Sequence, residues 1–142
     1  MADKPRLVFD TSVLVSAAIF RESTPGLALT AALHQGTILL SLATAQEVKN
    51  VLARPKFDRY ISTETRNCFL AALLRNATFL EPEESIQACR DPNDDKFLEI
   101  AVAGQAMYLI SGDEDLLVLD SFRGIRIVTA SEFAVSGLEK PK

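Results

Sequence analysis

Short apolar runs closed by polar or glycine-containing breaks recur along the chain, alternating with longer stretches whose apolar positions repeat at helical spacing. Leu7, Val8 and Phe9 form the first run and predict a buried strand that stops on Asp10. Residues 12–20 then predict a short helix, residues 22–26 a turn, and residues 25–35 a second helix closed by Gly36. A strand is expected over 37–41. Thr44 opens the next helix, with Ala45, Val48, Val51 and Leu52 on one face, and Pro55 stops it after Arg54. Residues 57–61 read as a connecting turn, and Ser62 caps a long helix that carries Phe69, Leu70, Leu73 and Leu74 at helical spacing. A brief strand over 78–80 and a loop over 81–85 follow.

Asp91-Pro-Asn-Asp-Asp95 starts a helix over 96–106, leading into a strand over 107–110 and a turn at Ser111-Gly-Asp113. A helix over 114–119, a strand over 125–128 and a last helix from about Ala130 complete the pattern, with residues 137–142 expected to fray. Strands alternating with helices in this rhythm imply a parallel sheet covered on both faces. The expected fold class is α/β, a three-layer α/β/α sandwich with a central parallel sheet of four to five strands. At 142 residues the chain fits one domain, its core spanning about 6–134, with no repeat, low-complexity segment or linker.

Composition narrows the function. Hydrophobic residues at 48% and charged residues at 24% suit a soluble globular protein, and no apolar run approaches the roughly 20 residues of a membrane helix. The opening Met-Ala-Asp-Lys-Pro lacks a signal pattern, and Cys68 and Cys89 have neither metal-ligand spacing nor disulfide density. A cytoplasmic protein with reduced thiols and no membrane contact is expected. His34 is the sole histidine, in an Ala/Leu-rich helix where packing or surface exposure accounts for it, so a zinc site is not expected. Net charge of −4 opposes nucleic-acid binding through bulk basicity. It leaves open a nuclease whose acids converge on divalent cations, because a bound cation reverses the field that a phosphate meets.

Acidic residues recur where such a site would form. Asp10 and Asp113 each follow a predicted strand, at the carboxyl edge where open α/β sheets bind ligands, although either Asp10 or Ser12 could simply cap the next helix. On a helical wheel of residues 94–106, Asp94 falls inside the sector defined by Phe97, Leu98, Ala101 and Val102, with Asp95 at its margin. An inward acid needs a donor or a cation, but acids are also favoured at a helix start behind Pro92. Glu47 fits a capping box with Thr44; its flank also carries Asn50 and Arg54, a polar line suited to a phosphate. Asp113 and Asp115 could each be turn and cap residues. Taken together the acids form a set of hard oxygen ligands for Mg²⁺ or Mn²⁺.

Five segments carry a resemblance: Asp10-Thr-Ser-Val-Leu-Val-Ser-Ala, Ala45-Gln-Glu-Val-Lys, Arg54-Pro-Lys-Phe57, Asp91-Pro-Asn-Asp-Asp-Lys-Phe-Leu98 and Tyr108-Leu-Ile-Ser-Gly-Asp-Glu-Asp-Leu116. In this order they resemble a PIN domain, closest to bacterial VapC-type ribonucleases of toxin-antitoxin systems. The resemblance implies a Mg²⁺- or Mn²⁺-dependent endoribonuclease whose acidic cluster is Asp10, Glu47, Asp94 and Asp113. Ser12 then supports the first acid, Asp95 is the rival of Asp94, and Asp115 is auxiliary. It also implies strand order 3-2-1-4-5, a homodimer, and an antitoxin segment in the active-site groove. In this reading Asp10, Asp94 and Asp113 hold the metal, Glu47 binds metal or orients water, and Arg54, Lys56 and Arg59 steady the RNA backbone. Two other readings are a non-catalytic module of the same fold that binds RNA or protein, and a phosphoacceptor domain using Asp10. The second is weakened by Ser12, which stands where a second Asp would be required.

Overall fold

The computed structural model describes residues 4–136. The expected fraying of residues 137–142 falls outside them. Five parallel strands, β1 (Arg6–Phe9), β2 (Thr37–Leu40), β3 (Ala77–Phe79), β4 (Tyr108–Ile110) and β5 (Arg126–Val128), form one sheet in the order β3-β2-β1-β4-β5. The helices among the described residues are α1 (Thr11–Ile19), α2 (Thr24–Gln35), α3 (Leu42–Leu52), α4 (Thr63–Asn76), α5 (Asp95–Ala103), α6 (Glu114–Leu117) and α7 (Ala130–Ser136).

Alternation along each strand divides the core in two. Leu7, Phe9, Ile38, Leu40, Ile110 and Val128 face one layer, which includes Leu14 of α1, Ala28 and Ala32 of α2, and Phe133 of α7. Val8, Leu39, Leu109 and Ile127 face the other, against Phe97, Leu98 and Ile100 of α5 and Leu116 of α6. Both faces are buried, which is why the strands read as unbroken apolar runs rather than as alternating ones. A smaller cluster of Val15, Ala18, Leu52 and Ile61 ties α1 to the end of α3. Gly26 lets α2 begin tightly against the preceding turn: a Cβ there would lie 2.2 Å from the Arg21 carbonyl oxygen.

Several boundaries shift for local reasons. Helix α3 begins at Leu42 rather than Thr44, because Ser41 is the N-cap and forms a reciprocal capping box with Thr44. The expected Thr44–Glu47 box is therefore absent and Glu47 is released from capping. The helix ends at Leu52, two residues early, and Pro55–Phe57 forms a 3-10 turn. Helix α5 stops at Ala103 rather than residue 106, since Gln105 adopts a left-handed φ of 56°. Asp94 belongs to a 3-10 turn, Pro92–Asp94, so the wheel did not apply to it. Leu74 on α4 is exposed while Leu73 is buried.

Candidate metal centre

Parallel pairing sets the position of the first two acids. Phe9 pairs with Ile110 across β1 and β4, so the next residues, Asp10 and Ser111, leave the sheet side by side at its carboxyl edge. The Asp10 amide donates to the Ile110 carbonyl at 3.0 Å and the Ser111 amide to the Val128 carbonyl at 2.9 Å. Asp10 is buried and N-caps α1: its Oδ1 accepts from the Val13 amide at 2.9 Å and from Ser12 Oγ at 3.1 Å. Its Oδ2 accepts from Ser111 Oγ at 2.5 Å. The capping role and the site role thus fall on one side chain. Burial raises the Asp10 carboxyl above its ordinary range against the lowering effect of these donors.

Ser111 was read from sequence only as a turn residue. It is fully buried, and its hydroxyl donates to Asp10 while accepting from the Asp113 amide at 2.9 Å. One hydroxyl therefore joins two acid-bearing loops. The signal available in the sequence was its place immediately after a strand, beside the acid.

Asp113 N-caps α6 through Oδ1, which accepts from the Asp115 amide at 2.9 Å. Asp94, from the turn before α5, comes up against it. Oxygens of Asp94, Asp113 and Asp115 lie within 4.8 Å of one another. Asp115 had been expected only as an auxiliary acid; here it stands inside the closest trio, where its Oδ1 also meets the Arg90 guanidinium at 2.9 Å. Asp94 Oδ2 is buried with no hydrogen-bond partner among the described residues. Burial, then the neighbouring Asp113 carboxyl, pushes Asp94 up to about 7.

Asp95 points elsewhere, and the wheel had the pair reversed. Asp95 is the buried acid, its Oδ1 accepting the backbone amides of Cys89 at 2.8 Å and Ala88 at 3.1 Å. Its burial is outweighed by those amides together with the Cys89 thiol, and its carboxyl sits below the usual range. Asp95 fastens the 88–89 segment to α5. Asp94 is half-buried and turned to the cleft.

A cleft of about 250 Å³ gathers Asp10, Thr11, Ser12, Glu47, Arg54, Asp94 and Asp113, with Val51 and Phe97 as apolar walls. Glu47 Oε1 pairs with Lys96 Nζ at 2.5 Å, and Lys96 also donates to the Asn93 carbonyl. Lys96, which the sequence reading passed over, thereby holds Glu47 against the turn that carries Asp94. Of the expected basic set only Arg54 lines this cleft; Lys56 and Arg59 lie beyond it, as does Asn50.

The donor set consists of carboxylates and hydroxyls, the chemistry that Mg²⁺ and Mn²⁺ select. The unpartnered Asp94 oxygen fits such an ion: it is a buried acceptor for which the described residues supply no donor. No helix among the described residues is long and apolar enough to cross a membrane.

The sequence profile described as PIN domain matches residues 6–115. The uncharacterized protein MJ1680 of Methanocaldococcus jannaschii is 30% identical over 118 residues, covering 82% of this chain and 76% of that protein. Among solved structures, PAE2754 from Pyrobaculum aerophilum superposes with a TM-score of 0.62 at 16% identity, covering 95% of this chain and 91% of that one. A chain of VapBC2 from Rickettsia felis, bound to a DNA fragment from its promoter, gives 0.56 at 13% identity, covering 86% and 96%. Both structural likenesses are of fold.

Proposed function

As the chain belongs to the PIN domain family, we propose that it is a Mg²⁺- or Mn²⁺-dependent endoribonuclease, the toxin of a toxin-antitoxin pair. The observation that carries this reading is the convergence of Asp94 with Asp113 and Asp115, one Asp94 oxygen left without a donor, with Asp94 and Asp113 lining one cleft together with Asp10 and Glu47. A divalent cation bound there supplies a lowered pKa to its water and counter-charge to the phosphodiester oxygens.

The chain's own residues do the rest. Asp94, Asp113 and Asp10 are the proposed ligands, with Asp115 beside them. Ser111 and Ser12 hold the Asp10 carboxylate in one orientation, so that its charge is aimed before substrate arrives. Glu47, steadied by Lys96, is placed to orient water or to bind metal. Arg54 offers its guanidinium to a backbone phosphate at the rim of the cleft. Asp95 fastens the 88–89 segment to the start of α5, next to the turn that carries Asp94. No nucleophilic Ser, His or Cys is required.

The same reading extends to assembly: a homodimer acting in the cytoplasm, restrained by an antitoxin, with RNA as substrate. The VapBC2 likeness supports the toxin assignment. The deciding experiment is cleavage of a mixed RNA pool with Mg²⁺, Mn²⁺ or EDTA, beside D10N prepared in parallel. Cleavage that requires the cation and disappears in D10N is expected. Cation-independent cleavage shared by D10N overturns the reading, and RNA binding without cleavage replaces it with the non-catalytic module.

A further inference from the structure

Lys56 and Arg59 lie outside the acid cleft, and their surroundings indicate what they do instead. The Lys56 ammonium sits 5.2 Å from the centroid of the Phe57 ring, and the Arg59 guanidinium 5.7 Å from that of Tyr60. The Tyr60 ring meets Phe20, at the end of α1, with centroids 5.9 Å apart and planes inclined by 60°. Both rings stay more than half exposed, Phe20 at 53% and Tyr60 at 54%.

Exposure at this spot is selective. Ile61 and Phe57, one residue after and three before Tyr60, pack into the small cluster with Val15, Ala18 and Leu52, while Tyr60 and Phe20 remain outside it. Among the described residues, the large aromatic side chains left exposed are Phe20, Tyr60 and Phe79, and only the first two touch another ring.

The segment that carries Tyr60 is hydrogen-bonded along its length and positive. Successive turns close it: Phe57 N to Arg54 O at 3.1 Å, Asp58 N to Pro55 O at 2.9 Å, Tyr60 N to Phe57 O at 2.9 Å. The buried Arg66 clamps it from below, reaching Asp58 at 3.0 Å and the Arg54 carbonyl at 3.4 Å. That ion pair neutralises Asp58, the one acid among residues 54–60, and leaves Arg54, Lys56 and Arg59 as a local cationic strip in a chain of net charge −4. The strip begins at Arg54 in the acid cleft and ends on the ring pair.

Resting on the ribonuclease reading, we propose that Phe20 and Tyr60 are a base-stacking platform for single-stranded RNA, with Lys56 and Arg59 beside them meeting its phosphates. A strand engaged at the acids continues past Arg54 and lays an unpaired base on the rings. Exposed aromatics interleaved with cations are what unstacked bases bind, whereas a duplex keeps its base faces covered.

The test compares wild type with Y60F, Y60L and F20L, binding a single-stranded RNA of about 20 nucleotides and its duplex, in EDTA, with cleavage kinetics in Mn²⁺ alongside. Y60F keeps the affinity for the single strand, whereas Y60L and F20L, which keep apolar bulk without a ring, weaken it about tenfold. KM rises in the same proportion with kcat unchanged. Tyr60 is one of two tyrosines in a chain without tryptophan, so RNA quenches tyrosine fluorescence in wild type and F20L far more than in Y60L. Binding by Y60L and F20L equal to wild type, or duplex bound as tightly as the single strand, overturns the platform alone if wild-type cleavage still needs the cation. Ring-dependent binding without cleavage keeps the platform and overturns the nuclease. A wild-type protein that neither binds nor cuts RNA overturns both.

Discussion

At the β1–β4 edge Asp94 carries a buried oxygen with no donor, whereas beside β5 Asp120 accepts the Arg126 side chain at 2.9 and 3.3 Å and the Ile127 amide at 2.8 Å. Their carboxyls move in opposite directions, Asp94 up to about 7 through burial and Asp113, Asp120 downward through its hydrogen bonds from Arg126 and Ile127. Asp95, next to Asp94 in sequence, behaves like Asp120 because two amides answer it. The donors a carboxylate finds decide its use. One with a full set fastens the fold, and one left short is available to a cation.

The comparison breaks if the two kinds of acid respond alike. The largest effect expected is on cleavage: D10N and D94N each lower the rate by well over about 100-fold, since loss of groups merely supporting a metal ligand already costs about 10–100-fold. S111A comes next, with a loss in the range of about 10–100-fold in RNA cleavage. It also destabilises by about 1–3 kcal/mol in urea titration, because the Asp113 amide and the Asp10 carboxylate lose their shared partner. An S111A protein with wild-type activity would show that the acids need no bridge.

D95A costs about 1–3 kcal/mol of stability through the unpaired Ala88 and Cys89 amides, yet keeps the rise in Tm that Mn²⁺ produces, whereas D94A loses that rise. The reverse pattern would make Asp95 the ligand. A pH series sharpens the same contrast. A carboxyl raised from 3.8 to about 7 binds its proton more tightly in the folded state, so the contribution is complete below about pH 4. It is lost as pH climbs through 7. Cation-free protein should therefore lose Tm across that interval, and the Mn²⁺-induced rise should be small at pH 5 and greatest near pH 8. D94N should flatten both trends. The smallest change is expected for D120N, whose partner Arg126 is largely in solvent; its Tm loss should be the least of the set and its cation response that of wild type.

The layered α/β architecture was legible because fully buried strands write themselves as apolar runs, and Asp10 and Asp113 because each follows such a run, Asp10 directly and Asp113 after the turn residues Ser111 and Gly112. Asp94 is chosen over Asp95 both by the family resemblance and by the helical wheel, and the structure removes the second ground. The wheel assumed α-helix at residue 94, where a 3-10 turn behind Pro92 redirects the side chain. Glu47 was half-hidden by Thr44, which matched a capping motif that Ser41 in fact completes. Ser111 and Lys96 could not be read at all, because their meaning lies in partners 101 and 49 residues away. Lys56 and Arg59 were placed by charge alone, and charge carries no address: the turn that holds them had to be seen.

The Asp10–Ser111 hydrogen bond spans 101 residues of chain. During synthesis at about 5–20 residues per second, many seconds separate the appearance of the two groups. Throughout that interval Asp10 lacks Ser111, Asp113 and the β4 strand that would seat them. A site whose acids come from both halves of the chain is incomplete in any fragment that lacks β4. The long-range closure of β1 against β4 thus leaves the acid cluster unassembled until nearly all of the fold has emerged.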